Sequence, residues 1–444
     1  MSTSGWTRLL PARLRARVEA DPELRRILPN TGWLAGDRLL RLALGLLVGA
    51  WIARTLGPAD YGTLSFAFAW VALFTPLAAL AHDRMVVREL VERPGDAGAV
   101  LGSAAVLRLL GGVIGSAAAI AGVSLLRPGD RDALALVSIF AVVMIVQPLA
   151  VIELWYQSRV RTRDAVLALT CAALLAAALK VILIVRRAPL TAFAWAGLAE
   201  VLLAGVAVAL VYQLRERGLA AWRVRLAECR ALLRDSWPLV LSGAMILIYM
   251  RIDQVMLRQL ATPAELGAYA AAVKLVEGWY FLPTAVVASV FPSIVEARLA
   301  DPGRFARRLQ KLYAVMAAAA YAVAIPTCIL APWLVRLLYG PGYAAAAPML
   351  AVLVWSLVFT NLGVARGAFL TSMNWTKPYL MTVALGGLVN VVLKLFLIPR
   401  WGGMGAVIAS CVAYWVATHG SCFVYRPLRP TARMLTRAML RPWA

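Results

Sequence analysis

The sequence predicts an all-α integral membrane protein of twelve transmembrane helices, arranged as two six-helix lobes related by a parallel pseudo-two-fold axis. Three observations predict it. Of 444 residues, 62% are hydrophobic and the mean hydropathy is +0.77, far above what a water-soluble chain carries. Only 15% are charged, yet 45 Lys and Arg stand against 22 Asp and Glu, leaving a net charge of +23. That one-sidedness is typical of a polytopic protein with basic cytoplasmic loops. Finally, the apolar residues fall in windows long enough to span a bilayer, for which a helix needs about 20 residues. A soluble enzyme is excluded, and no sizeable soluble domain fits beside the crossings.

Residues 1–32 are expected to form a basic arm on the cytoplasmic membrane face. Arg8, Arg13, Arg15, Arg17, Arg25 and Arg26 lie there among Leu and Pro, without the short apolar core and cleavage site of a signal peptide. The N-lobe, 33–214, holds windows at about 39–56, 61–81, 98–126, 133–155, 164–185 and 190–214. A basic, amphipathic linker at 215–236 is expected to lie on the inner surface as an interfacial helix. The C-lobe, 237–425, holds windows at 237–257, 266–292, 311–338, 343–371, 378–398 and 403–425, followed by a basic tail at 426–444. Of the 45 cations, 31 fall on one set of connections with both tails and 8 on the other, which places both termini in the cytoplasm. That split accounts for the high isoelectric point without nucleic acid.

The lobes repeat. LGPADYGTLSFA at 56–67 overlays ATPAELGAYAAA at 261–272, with Pro58 on Pro263, Asp60 on Glu265 and Gly62 on Gly267. LKVILIVRR from Leu179 and LKLFLIPRW from Leu393 share five of nine positions, Lys180 matching Lys394. Because six is even, both halves start on the same side and the repeat is parallel. Gly45/Gly49 and Gly111/Gly115 fit close helix packing, and Pro76, Pro148, Pro283 and Pro326 fit kinks inside crossings.

With Arg54, Lys311, Arg336 and Arg366, near window ends, counted among the connections, six cations remain inside the windows: Arg41, Arg108, Lys180, Arg251, Lys274 and Lys394. Each costs about 2.5–3.5 kcal/mol at a helix centre, so something must offset them. Arg41 and Arg108 either snorkel to the cytoplasmic face or line a lumen. Lys180 and Lys394, matched by the repeat, read as paired interfacial anchors or as a paired gate, with anchoring favoured. Arg251 and Lys274 lie deepest and are the first candidates for an anion-binding cavity. Among the acids, Glu277 is three residues after Lys274 and can neutralise it on one helix face, while Asp253 beside Arg251 can hold that arginine in place. Glu277 and Glu200 are also candidate proton sites. If all these groups point inward, the cavity carries a net charge of +3. Tyr249, Trp279, Tyr280 and Trp355 can stack on sugar rings, although packing is the commoner use of such residues. Cys171, Cys229, Cys328, Cys411 and Cys422 lack metal-ligand spacing, His82 and His419 suggest no metal site, and no GxxxxGK loop offers nucleotide chemistry. No cofactor is expected.

Three stretches carry a resemblance. RLALGLLVGAWIARTLGPADYGTLSFAFAW holds an Ala-Arg-x-Leu-Gly-Pro turn before Tyr-Gly, the second lobe opens with Arg-Ile-Asp-Gln at 251–254 and has prolines at Pro283 and Pro292, and Asn390 to Ala406 carries Asn, Ile-Pro and spaced glycines. The chain from Trp33 to Tyr425 thereby resembles the O-antigen and exopolysaccharide flippase family of the multidrug/oligosaccharidyl-lipid/polysaccharide exporter superfamily. The resemblance implies a MATE-like fold and a multi-pass protein of the bacterial inner membrane. It implies translocation of an undecaprenyl-pyrophosphate-linked oligosaccharide from the cytoplasmic to the periplasmic leaflet, with H+ or Na+ coupling and a polysaccharide polymerase as possible associates. A cation-coupled multidrug exporter of the same superfamily is the alternative. Six embedded cations against three acids speak against a pump for cationic drugs, and outer connections of about ten residues leave no room for a polymerase or ligase active site.

Overall fold

The computed structural model describes residues 22–159, 162–216, 218–373 and 375–443. Residues 1–21 of the expected N-terminal arm lie outside them; 22–32 continue into the first long helix. Helices are α1 Pro22–Ala72, α2 Asp83–Glu92, α3 Ala97–Leu126, α4 Arg131–Val146, α5 Val151–Ser158, α6 Thr162–Val185, α7 Leu190–Arg215 and α8 Leu226–Leu260. They continue as α9 Pro263–Glu277, α10 Phe281–Ala300, α11 Pro302–Tyr339, α12 Ala346–Leu353, α13 Ser356–Ser372, α14 Thr376–Trp415 and α15 Arg429–Leu440. No strand occurs among the described residues, as expected where every backbone polar group must be satisfied within hydrocarbon.

Ten stretches of the described chain are long and apolar enough to cross a membrane, fewer than the twelve windows read from the sequence. The difference lies in two continuous stretches that each hold two windows and turn at a left-handed glycine: Gly57 (φ 78°) in α1 and Gly402 (φ 52°) in α14. Only glycine adopts that conformation without strain. Three of the four window prolines mark breaks. Pro76 sits in a short turn after α1, Pro148 in the 3-10 turn between α4 and α5, and Pro283 in the first turn of α10. Pro326 lies inside the unbroken α11.

The chain forms two compact units. The first takes the chain up to Gly45, Phe74–Gly129 and Val137–Gly243; the second takes Leu46–Leu73, Asp130–Leu136 and Ala244–Ala444. The second unit therefore includes stretches that the sequence division assigns to the N-lobe. For Leu46–Leu73 a reciprocal close approach of the two repeated stretches accounts for it, and Asp130 is held by Arg258 at 2.9 Å. A Cβ on Gly62 would stand 2.0 Å from the Pro263 carbonyl oxygen, and one on Gly267 would stand 1.9 Å from that of Pro58. Of the expected packing pairs, a Cβ on Gly111 would meet Leu77 and one on Gly115 would meet Phe74 and Met144, whereas a Cβ on Gly45 or Gly49 would find no atom of the described residues within 4 Å beyond its own stretch of helix. Long apolar side chains such as Leu125 and Leu214 point outward, and small residues such as Ala268, Ala271 and Ala272 fill the interior, the distribution that close helix approach in lipid favours.

The linker is not a separate interfacial helix. Residues 222–225 are extended and lie in a glycine groove of α3: Arg223 N–H donates to the Gly98 carbonyl at 3.0 Å and Arg225 N–H to Ser103 Oγ at 3.1 Å. A Cβ at Gly102 would fall 2.5 Å from the Arg223 carbonyl oxygen. From Leu226 the chain is already α8, which runs unbroken into the crossing. The hydrogen bonds to α3 satisfy the extended backbone, so an independent helix has nothing to gain there.

Gly62→Val and Gly267→Val are each expected to destabilise the protein by about 1–3 kcal/mol, the usual cost of overpacking. Melting in detergent would show this as a lowered transition for both, with Gly45→Ala, in open space, unchanged.

Candidate functional site

The second unit brings together three of the six embedded cations. Arg251 and Asp253 lie on α8, Lys274 and Glu277 on α9, and Lys394 on α14. The pairings differ from those expected. Arg251 Nη1 sits 3.2 Å from Glu277 Oε1, with its guanidinium carbon 5.8 Å from the Phe68 ring centroid. Glu277 is thus paired from the neighbouring helix, and Lys274, one turn before it, has no ion-pair partner among the described residues. Asp253, two residues from Arg251 and so on a different face of α8, does not hold that arginine. It accepts a short hydrogen bond from the Tyr269 hydroxyl and faces Lys394 Nζ at 3.7 Å.

Lys394 is wholly buried, so it is not the interfacial anchor that its place near a helix end suggested. A buried ammonium is tolerated only when paired, and Asp253 supplies that pairing. Asp253 and Glu277 line one small cavity of about 20 Å³ together with Tyr269, Tyr280, Ser410 and Tyr414. That is room for one water-sized guest, with Met250, Val273, Val276 and Leu353 lining the cavity beside the carboxylate and hydroxyl oxygens. Tyr249 stands edge-on to Tyr414, with ring centroids 5.4 Å apart, and Trp355, 38% exposed, stands edge-on to Tyr321 at 6.3 Å.

The first unit holds the other three, each with its own carboxylate. Arg108 is buried, bound to Asp83 and to the Ala81 carbonyl at 2.8 Å, so it neither snorkels nor offers a free charge. Arg41 meets Asp37 at 2.9 Å one turn earlier on α1. Lys180 of α6 pairs with Glu200 of α7, which makes Glu200 a charge-balancing group. Five of the six cations therefore have carboxylate partners, and the expected charge of +3 falls to +1, carried by Lys274. The expectation missed Asp37 and Asp83 because both lie just outside the apolar windows.

Outside the spans, Arg93, just after α2, grips Glu228 at the start of α8 with two hydrogen bonds, 3.1 and 2.7 Å, and Arg88 of α2 reaches Asp235 at 3.1 Å. The bond from Arg88 holds the Asp235 carboxyl below its usual range. Burial works to raise that of Glu89, and hydrogen bonds from Arg88 and Arg93 more than reverse it. Both acids stay ionised at neutral pH. Nearby, a cleft of about 480 Å³ is lined by Trp155, Tyr212, Arg159, Arg223 and the Arg225–Asp96 pair.

One embedded cation was assigned to a loop. Arg366 is 2% exposed within α13, donating to the Thr418 carbonyl at 3.0 Å, Ser421 Oγ at 3.3 Å and Thr382 Oγ1 at 2.8 Å. Its position five residues inside the 343–371 window was the available signal. Thr418 lies in a π-helical turn, Val416–Gly420, which turns its carbonyl toward the guanidinium.

Asp253→Asn is expected to cost about 3–5 kcal/mol by leaving Lys394 buried without a counter-charge. Adding Lys394→Met should recover most of that loss, and melting of the two variants in detergent checks both.

Residues 27–298 match the polysaccharide biosynthesis protein family. No curated protein matches the chain. Among solved structures, the chain is similar to the lipid II flippase MurJ in an inward closed conformation, with a TM-score of 0.71, 12% identity, and 92% of this chain and 91% of that one covered. It is also similar to an inward-facing multidrug resistance MATE family transporter of the MOP superfamily, with a TM-score of 0.66, 15% identity and coverages of 89% and 96%. A MOP superfamily transporter from Pyrococcus furiosus, described as having a binding pocket of reverse polarity, matches with a TM-score of 0.52, 16% identity and coverages of 93% and 94%. At these identities the likeness is one of fold: a multi-pass helical membrane protein of the MATE and MurJ kind. With 27–298 covering more than half of its length, the chain belongs to the polysaccharide biosynthesis protein family.

Proposed function

We propose that the protein is a flippase that carries an undecaprenyl-pyrophosphate-linked oligosaccharide from the cytoplasmic to the periplasmic leaflet of the bacterial inner membrane by alternating access. Twelve crossings, both termini in the cytoplasm and two lobes of 33–214 and 237–425 belong to this reading. The observation that carries it is Lys274. It is exposed about 17 Å along a membrane-spanning helix and lacks a carboxylate partner among the described residues. An ammonium at that depth is tolerated against water or an anion, not against hydrocarbon. A pyrophosphate bearing a glycan needs such a cation to replace its lost hydration.

Arg251 stands on the adjacent helix and can trade Glu277 for a phosphate oxygen. Release of Glu277 next to Asp253 would place two carboxylates on one cavity, the arrangement in which uptake of H+ or Na+ resets the site. Outward movement of an anion is also favoured by an inside-negative potential, by about 2.3 kcal/mol per charge per 100 mV. Arg108, Arg41, Lys180 and Lys394, each held by its own carboxylate, serve the scaffold that keeps the path open. Delivery to a polysaccharide polymerase would follow on the outer face.

A cation-coupled multidrug exporter shares the fold. The pairing of Asp253 and Glu277 with basic residues disfavours it, because a cationic drug would have to displace a lysine or an arginine. Lys274→Ala is expected to lower glycan export about 10- to 100-fold, the worth of one charge-assisted bond to phosphate, with membrane insertion unchanged and Lys274→Arg largely active. Export at the wild-type rate by Lys274→Ala and Arg251→Ala would overturn the cationic path.

A further inference from the structure

The C-terminal segment is a folded element of the second unit. α15 buries Thr431, Ala432, Leu435 and Ala438. It is pinned to α11, where Gln310 Nε2 donates to the Met434 carbonyl at 3.3 Å and the Tyr321 hydroxyl to that of Met439 at 3.1 Å. Thr436 Oγ1 meets His419 Nε2 at 2.8 Å. On the opposite face stand arginines at 429, 433, 437 and 441, one per turn, preceded by Arg426. All five are exposed, and none has an ion-pair partner among the described residues. Arg429 Nε donates only to the Phe423 carbonyl, at 3.2 Å.

A helix face built for water intersperses Glu or Asp among such cations; here the sequence from 426 to 444 contains neither. Beside the stripe, Val424, Leu440 and Trp443 are each more than three-quarters exposed. Cations and bulky apolar groups side by side are the composition of a membrane interface, where Trp and Leu enter the headgroup boundary and guanidinium groups take phosphate oxygens. An acidic protein surface would satisfy the arginines and leave Leu440 and Trp443 in water, while Val424 closes the last membrane-spanning stretch.

We infer that α15 is a docking helix for anionic phospholipid headgroups, held by the Arg429, Arg433, Arg437 and Arg441 stripe and seated by Leu440 and Trp443. This rests on the cytoplasmic placement of the C-terminus given above. The helix ties the anionic inner leaflet to α11, the 38-residue helix it is pinned to.

Purified full-length protein in detergent is titrated with phosphatidylglycerol and with phosphatidylcholine, and bound lipid is counted by native mass spectrometry. The wild type should retain phosphatidylglycerol in preference, and each Arg→Gln change in the stripe should lower that preference about fivefold. The fourfold Arg→Lys variant, which keeps the charge, should retain most of it. Undiminished preference in the fourfold Arg→Gln variant overturns the inference. So does full competition by inorganic phosphate, which would mark a simple anion site, or stripe-dependent binding of a polyglutamate peptide without lipid preference, which would mark an acidic protein partner. Labelling of Trp443→Cys by an impermeant maleimide in intact cells would contradict the topology instead, so the two failures are distinguishable.

Discussion

A charge placed in hydrocarbon needs a counter-charge or, as at Arg366, a set of hydrogen bonds, and that requirement organises the membrane part of this protein. Arg41, Arg108, Lys180, Arg251 and Lys394 each sit against a carboxylate, and in four of the five pairs the two partners come from different segments of the chain. The pairs therefore act as cross-links as well as neutralisers. α8 is joined to α9 through Arg251 and Glu277 and to α14 through Asp253 and Lys394. Removing one member leaves a buried charge, which costs more than the pair contributes. Lys274 stands apart from these pairs, exposed and without a carboxylate partner among the described residues.

A second constraint is steric. Helices in lipid gain nothing from the hydrophobic effect between them and rely on close backbone approach. The two copies of the repeated turn use the same glycine for it, Gly62 against Pro263 and Gly267 against Pro58. Sequence similarity between the copies thus has a direct packing meaning, since each copy supplies both the notch and the carbonyl that fills it. The same device, with Gly98 and Gly102 of α3, receives the extended linker and replaces the interfacial helix expected there.

The helical membrane fold was legible because hydropathy windows and basic loops are long-range averages that no single residue upsets. The match of Pro58 with Pro263 was legible because turn residues sit at fixed offsets in a linear pattern, and the structure sets the carbonyl of each proline against the glycine of the other stretch. The pairing inside the site was not. Lys274 and Glu277 have ideal spacing on one helix, yet Glu277 turns to Arg251 across a helix boundary, an approach no linear spacing records. Lys394 reads as an anchor from its distance to a helix end, but its burial depends on how α14 packs. Arg366 shows the same limit, one of its partners, the Thr418 carbonyl, being supplied by a π-helical turn about fifty residues downstream and another, Thr382, by the following helix.

The most direct test of the central claim is to deplete the protein from cells and extract lipid-linked oligosaccharides, with a membrane-impermeant probe reporting which leaflet holds them. Complete pyrophosphate-linked units should accumulate facing the cytoplasm. Unchanged leaflet distribution, with cells instead becoming sensitive to small cationic compounds, would contradict it.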